Sequence, residues 1–126
     1  MAYTAYATAD DYEELGLPEY EYEEVERALK TASRHIDTLT FNRIVATGFA
    51  NLTDFQKEII REVACRQAAF EMENADMIAT VLSSYSINGV SMQFGDSWNV
   101  VTQSGVAMQR DLYSMLQQTG LCVRCL

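Results

Sequence analysis

From Tyr22 onward, Tyr22, Val25, Leu29, Ala32, Ile36 and Leu39 recur at alternating intervals of three and four. That spacing draws one apolar stripe along an α-helix of roughly 30 Å, at 1.5 Å per residue. Acids fill its first turns and Arg27, Lys30, Arg34 and His35 its later part, the order that the helix dipole favours. Upstream, Thr8 is placed to cap a short helix, with Asp11 in the first turn and Gly16 at the stop. Pro18 suits the first turn of the long helix. Residues 38–51 read as a connector whose Phe41, Ile44, Val45 and Phe49 are expected to pack back onto the core.

Thr53 and Gln56 have the spacing of a capping box. They predict a central helix running to about Val81, with Phe55, Ile59, Ile60, Val63, Ala64, Ala68, Phe70 and Met72 on its apolar face. Lys57, Glu58, Arg61, Glu62 and Arg66 mark its solvated side. The period then changes to two. Asn88-Gly89, the strongest short hairpin signal, separates two alternating runs. A two-residue turn there puts Tyr85, Ile87, Val90, Met92 and Phe94 on one face and the serines and Gln93 on the other. Residues 95–105 read as a turn-rich connector, and 106–119 as a final helix with Met108, Leu112, Met115 and Leu116 inward. Gly120 followed by Leu121 is a plausible left-handed helix stop. The pattern predicts a mainly α fold: a small helical bundle with a long central helix and one β-hairpin.

The chain of 126 residues fits one domain, with an acidic segment and short helix over 1–17 and a tail over 120–126. The net charge of −9 is unevenly placed. Residues 1–26 carry nine acids and no base, while 27–126 carry nine of each. Clustered Lys or Arg, which phosphate binding needs, is missing from this pattern, and it argues against nucleic-acid affinity. No leader and no membrane span are expected from the hydropathy, and three cysteines suit a reducing cytoplasm better than a disulfide framework.

Candidate chemistry is sparse. The one histidine, His35, sits beside the apolar stripe and reads as a surface or partly packed side chain. No nucleophile elbow, phosphate loop or Glu-x-x-His pattern is present, so no catalytic residue, metal ligand or cofactor is assigned. Cys122 and Cys125 form one C-x-x-C pair. Zinc would require Cys65 and His35 as well, and a redox role would require a strand–helix setting. The plainer reading is a short apolar tail, with Cys65 a small core residue.

Two features exceed that plain reading. Between Met77 and Gln109 the only charge is Asp96, and Tyr85, Met92, Phe94 and Trp98 fall in that stretch. Interface centres are likewise poor in charge and rich in aromatics and Met. A candidate subunit interface therefore comprises Tyr85, Ile87, Asn88, Gly89, Val90, Met92, Phe94 and Trp98, with a hairpin buried inside a monomer as the alternative. The second feature is the acidic end, where five tyrosines lie among the carboxylates. Glu19, Glu21, Glu23 and Glu24 are its candidate anionic surface, against a simple solvated helix face.

Several blocks in order carry a resemblance. They are Ala7-Thr8 through Leu15, Ala32-Ser33-Arg34-His35-Ile36-Asp37, Leu39-Thr40-Phe41-Asn42-Arg43-Ile44 and Leu52-Thr53 through Gln67. The most specific are Ser83 through Met92 around Asn88-Gly89, and Gly120-Leu121-Cys122-Val123-Arg124. The chain resembles, nearly end to end, the head–tail connector (adaptor) proteins of tailed bacteriophages and prophages. That resemblance implies a non-enzymatic virion protein of the neck, made in the host cytoplasm. It implies a homo-oligomeric ring of about a dozen copies beneath the portal, closed by head-to-tail contacts. Such a ring extends the DNA channel without specifically binding DNA and docks a stopper or tail-completion protein. It further implies that Gly120, Leu121, Val123, Arg124 and Leu126 form the portal-binding tail. The alternative is a small helical interaction or regulatory module, monomeric or dimeric.

Overall fold

The structure, a computed structural model, describes residues 5–75, 78, 100–103 and 106–122. Within them the fold is mainly helical, as the apolar periodicity predicts. Helix α1 spans Ala9–Glu14. Thr8 Oγ1 accepts from the Asp11 amide and the Asp11 carboxylate accepts from the Thr8 amide, a reciprocal cap on two otherwise orphaned donors. Gly16, at φ +67°, turns the chain out of that helix.

Helix α2 spans Tyr22–Leu39. It starts later than Pro18 suggests: residues 17–20 precede the helix, and the Pro18 carbonyl accepts from the Tyr12 hydroxyl at 2.6 Å. Val25, Leu29, Ala32, Ile36 and Leu39 are buried as the stripe requires. Tyr22 is not; it stands 63% exposed in the first turn, before the helix reaches its neighbours. Ser33 lies on the buried side, with its hydroxyl donating to the Leu29 carbonyl.

The connector is more ordered than a loop. Helix α3 spans Arg43–Thr47, and a 3-10 turn follows over Phe49–Asn51. Ile44 is buried and Phe49 half-buried, but Phe41 is 45% and Val45 58% exposed, contrary to expectation. The chain leaves α2 through two consecutive left-handed residues, Phe41 at φ +56° and Asn42 at φ +59°. That conformation is uncommon for a bulky residue, and it leaves the Phe41 ring outside the core, 5.1 Å beneath the Arg43 guanidinium.

Helix α4, Asp54–Glu73, is the long central helix, closed at its start by the Thr53–Gln56 capping box. It ends at Glu73, short of Val81, where the Asn74 side-chain amide donates to the Phe70 carbonyl in competition with the helical bond from its own backbone. Asn competes with helical hydrogen bonding in this way. Ile60, Val63, Ala64, Cys65, Ala68 and Ala69 join α2 residues in the main core, while Phe55 is 54% exposed. Full burial of a residue such as Ile60 or Ile36 contributes about 1.5–3 kcal/mol.

Residues 100–103 and 106–109, read as connector and helix start, form a sheet instead. Strands β1, Val100–Gln103, and β2, Val106–Gln109, pair antiparallel with Val101 opposite Met108 and Thr102 opposite Ala107. β-branched residues in the first strand favour this over helix. Helix α5 begins only at Arg110 and spans Arg110–Gln117, with Leu112 and Leu116 buried. Met108 is inward as expected, but from a strand. The expected hairpin at Asn88-Gly89 lies outside the described residues.

Candidate functional site

The C-terminal segment is fixed at one corner by side chains from elsewhere in the chain. Gly120, at φ +76°, closes α5 by donating to the Gln117 carbonyl. The Thr119 hydroxyl donates to the Leu116 carbonyl and accepts from the Leu121 amide, so the turn satisfies its own polar groups. Gln56 Nε2, in the first turn of α4, donates to the Thr119 carbonyl at 2.9 Å. Arg43 Nη1 donates to the Leu121 carbonyl, also at 2.9 Å. Leu121 and Cys122 pack partly against the main core. Val123, Arg124 and Leu126 lie outside the described residues.

The segments that hold this corner also leave apolar side chains in solvent. Phe41 follows α2, Val45 is on α3 and Phe55 opens α4. Arg43, Gln56 and these three residues come from the segments that anchor the tail. The candidate interface from Tyr85 through Ile87, Asn88, Gly89, Val90, Met92 and Phe94 to Trp98 is outside the described residues.

The acidic end has a different construction. Tyr12 is buried, its hydroxyl spent on Pro18, and burial beside Tyr20 and Glu73 pushes its pKa up to about 12. Tyr6 is half-buried: its amide donates to Ser33 Oγ, its hydroxyl to Asp37, and its ring stacks on Phe49 at 5.2 Å. These tyrosines therefore pin the acidic segment onto the bundle. Glu19, Glu21, Glu23 and Glu24 are all exposed, with Glu23 and Glu24 in the first turn of α2 where the dipole favours them. Between α1 and the start of α2 opens a groove of about 400 Å³, floored by Ala9, Tyr12, Leu17 and Val25 and rimmed by carboxylates. Tyr22 stands on its edge, where a hydrogen bond to Glu26 raises the phenol's pKa.

The chain matches no family model, no curated protein and no solved structure.

Reactive groups are placed as structural ones. His35 Nδ1 lies 2.5 Å from Glu71 Oε2, joining α2 to α4. Gln67 Nε2 donates to the same Glu71 oxygen at 2.7 Å and to the Ala107 carbonyl at 2.8 Å, joining α4 to β2. Cys65 is fully buried, and desolvation pushes its thiol up to about 12. Burial likewise raises the Cys122 thiol to about 11, against the opposing effect of Arg43. Neither supplies a thiolate near neutral pH. Among the described residues no group of three or more His, Cys, Asp or Glu is arranged to hold a metal ion. No described helix is long and apolar enough to cross a membrane.

The sequence did not disclose the corner. Arg43 and Leu121 are 78 residues apart, and Gln56 announced itself only as a cap. Nor was the exposure of Phe41, Val45 and Phe55 signalled, because all three fall at positions that the apolar pattern assigns to the core.

Proposed function

We propose that this chain is a structural subunit of a phage head–tail connector ring, which docks beneath a portal, extends the DNA channel and receives the next neck component. The ordered blocks of resemblance motivate the reading. The observation that carries it is the anchored corner: Arg43 and Gln56 hold the backbone of Thr119 and Leu121, and so give the tail from Gly120 a defined point of departure. A docking tail benefits from such a mount, because ordering it in advance lowers the entropic cost of binding.

Three further features fit. The helical bundle agrees with the fold that the resemblance implies. The histidine and the two described thiols serve packing and helix ties, an arrangement suited to a scaffold. The exposed carboxylates Glu19, Glu21, Glu23 and Glu24 provide a surface that repels phosphate. Exposed Phe41, Val45 and Phe55 would suit the alternative, a helical interaction module without a ring, equally well. Electron microscopy of the protein mixed with portal separates the two: the connector reading predicts rings on the portal, the alternative predicts none.

A further inference from the structure

The acidic groove between α1 and α2 has a counterpart on the same molecule. Arg27, Lys30 and Arg34 are spaced three and four apart on α2, so they share one face of that helix, and all three are exposed. Neither Arg27 nor Lys30 forms an ion pair within the described residues. Glu23 and Glu26, four residues before them, supply only the weak, salt-screened attraction of intrahelical pairs. The groove carries Asp10, Glu13 and Glu19 on its rim, with Tyr20 and Tyr22 in its walls. Carboxylates beside aromatic faces suit a guanidinium or an ammonium group, the first through charge-assisted hydrogen bonds and the second through cation–π attraction.

Within one subunit, Arg27 and Lys30 do not pair with the groove carboxylates among the described residues. The basic face begins on the helix that forms the groove wall, and Tyr22 and Arg34 stand about 18 Å apart along it at 1.5 Å per residue. Two different, complementary surfaces on one chain make a heterologous contact, which repeats head to tail and closes into a ring when the rotation allows. We propose that the groove lined by Asp10, Glu13, Glu19, Tyr20 and Tyr22 receives the Arg27–Lys30–Arg34 face of a second copy of this chain. This deepens the connector reading, from which it takes the ring, and names the surfaces that join neighbouring subunits.

The test is a charge swap read by sedimentation of the purified chain at low salt. One variant carries Glu13→Lys and Glu19→Lys, at exposed positions near the end of α1 and in the loop after it. The other carries Arg27→Glu and Lys30→Glu. Each variant alone faces like charge with like and should lose self-association by about tenfold or more. Mixed one to one, each groove meets an opposite face and association should return. A chain with all four changes keeps the net charge of −9 and should associate like the wild type. Circular dichroism checks that each variant is folded, and Glu13→Gln with Glu19→Gln gives a milder version should a reversal not fold. Unchanged association of the single-sided variants, mixtures that stay apart, or a wild-type chain still monomeric at about 1 mM would overturn the contact. If both variants nonetheless form normal rings on portal, the contact fails and the connector reading stands. If mixing restores association but no chain docks on portal, the reverse holds.

Discussion

Arg43 donates from its guanidinium to the main-chain carbonyl of Leu121 at 2.9 Å, tying the turn after α2 to the turn after α5. A side chain that holds a backbone carbonyl sets where the following residues begin, whatever their own sequence. Arg43→Ala should therefore release the tail more than it weakens the bundle. A hydrogen bond to a charged donor contributes about 1.5–3 kcal/mol, less where water reaches it, so the melting temperature should drop by a few degrees. Portal binding should fall much further. Truncation after Cys122 should leave melting unchanged and abolish portal binding, whereas truncation after Thr119 should also lower melting, since Leu121 and Cys122 pack on the core. Normal portal binding by both truncations would remove the tail from the docking surface.

Gln67 is fully buried, and its amide joins Glu71 to the Ala107 carbonyl, while Oε1 has no hydrogen-bond partner among the described residues. Gln67→Met keeps the volume and strips both donated bonds. The stranded Ala107 carbonyl, with Glu71 left to His35 alone, should cost about 1–3 kcal/mol in all, and the protection of β2 amides in hydrogen exchange should fall with it. Unchanged exchange there would show that β2 does not depend on this tie.

Much of this bundle was legible because it is local. Thr8 with Asp11 and Thr53 with Gln56 announce helix starts over three residues, and the stripe from Val25 to Leu39 announces a buried face. What escaped is set by contacts distant in sequence or by backbone conformation. Phe41 points outward because two left-handed residues turn the chain there. Residues 106–109 have inward apolar positions compatible with either helix or strand, and pairing with Val100–Gln103 decides for strand. Of the candidate site, the exposure of Glu19, Glu21, Glu23 and Glu24 was legible from charge alone; the mount of Thr119 and Leu121 was not.

Stability should decline at alkaline pH. Burial raises Cys65 from an ordinary 9.0 and Tyr12 from 10.0 to about 12 each, so both are held neutral in the folded chain. Their contribution is fully present below pH 9 and is lost as pH rises through 12, because the unfolded chain ionises first. Melting should be flat from neutral pH to about 9 and then fall, and Cys65→Ala should flatten part of that fall. A wild-type profile level to pH 11 would contradict the burial of both groups.

The acidic end should keep duplex DNA off the free subunit. DNA carries about one charge per 1.7 Å, and counterion release makes any phosphate contact strongest at low salt. Gel shift at low salt should show no binding. Replacing Glu19, Glu21, Glu23 and Glu24 with Gln should leave α2 folded, since Gln is nearly as good a helix former. The loss should stay within about 1 kcal/mol for the two residues at the helix start. Tight binding by the wild-type chain would argue for a nucleic-acid-binding function instead.

The most direct measurement is electron microscopy of the purified chain mixed with a phage portal encoded beside it. The connector account predicts closed rings seated on the portal, repeating head to tail, with the density after Gly120 running toward it. A stable twofold dimer that never docks, or a monomer that leaves the portal bare, would contradict it.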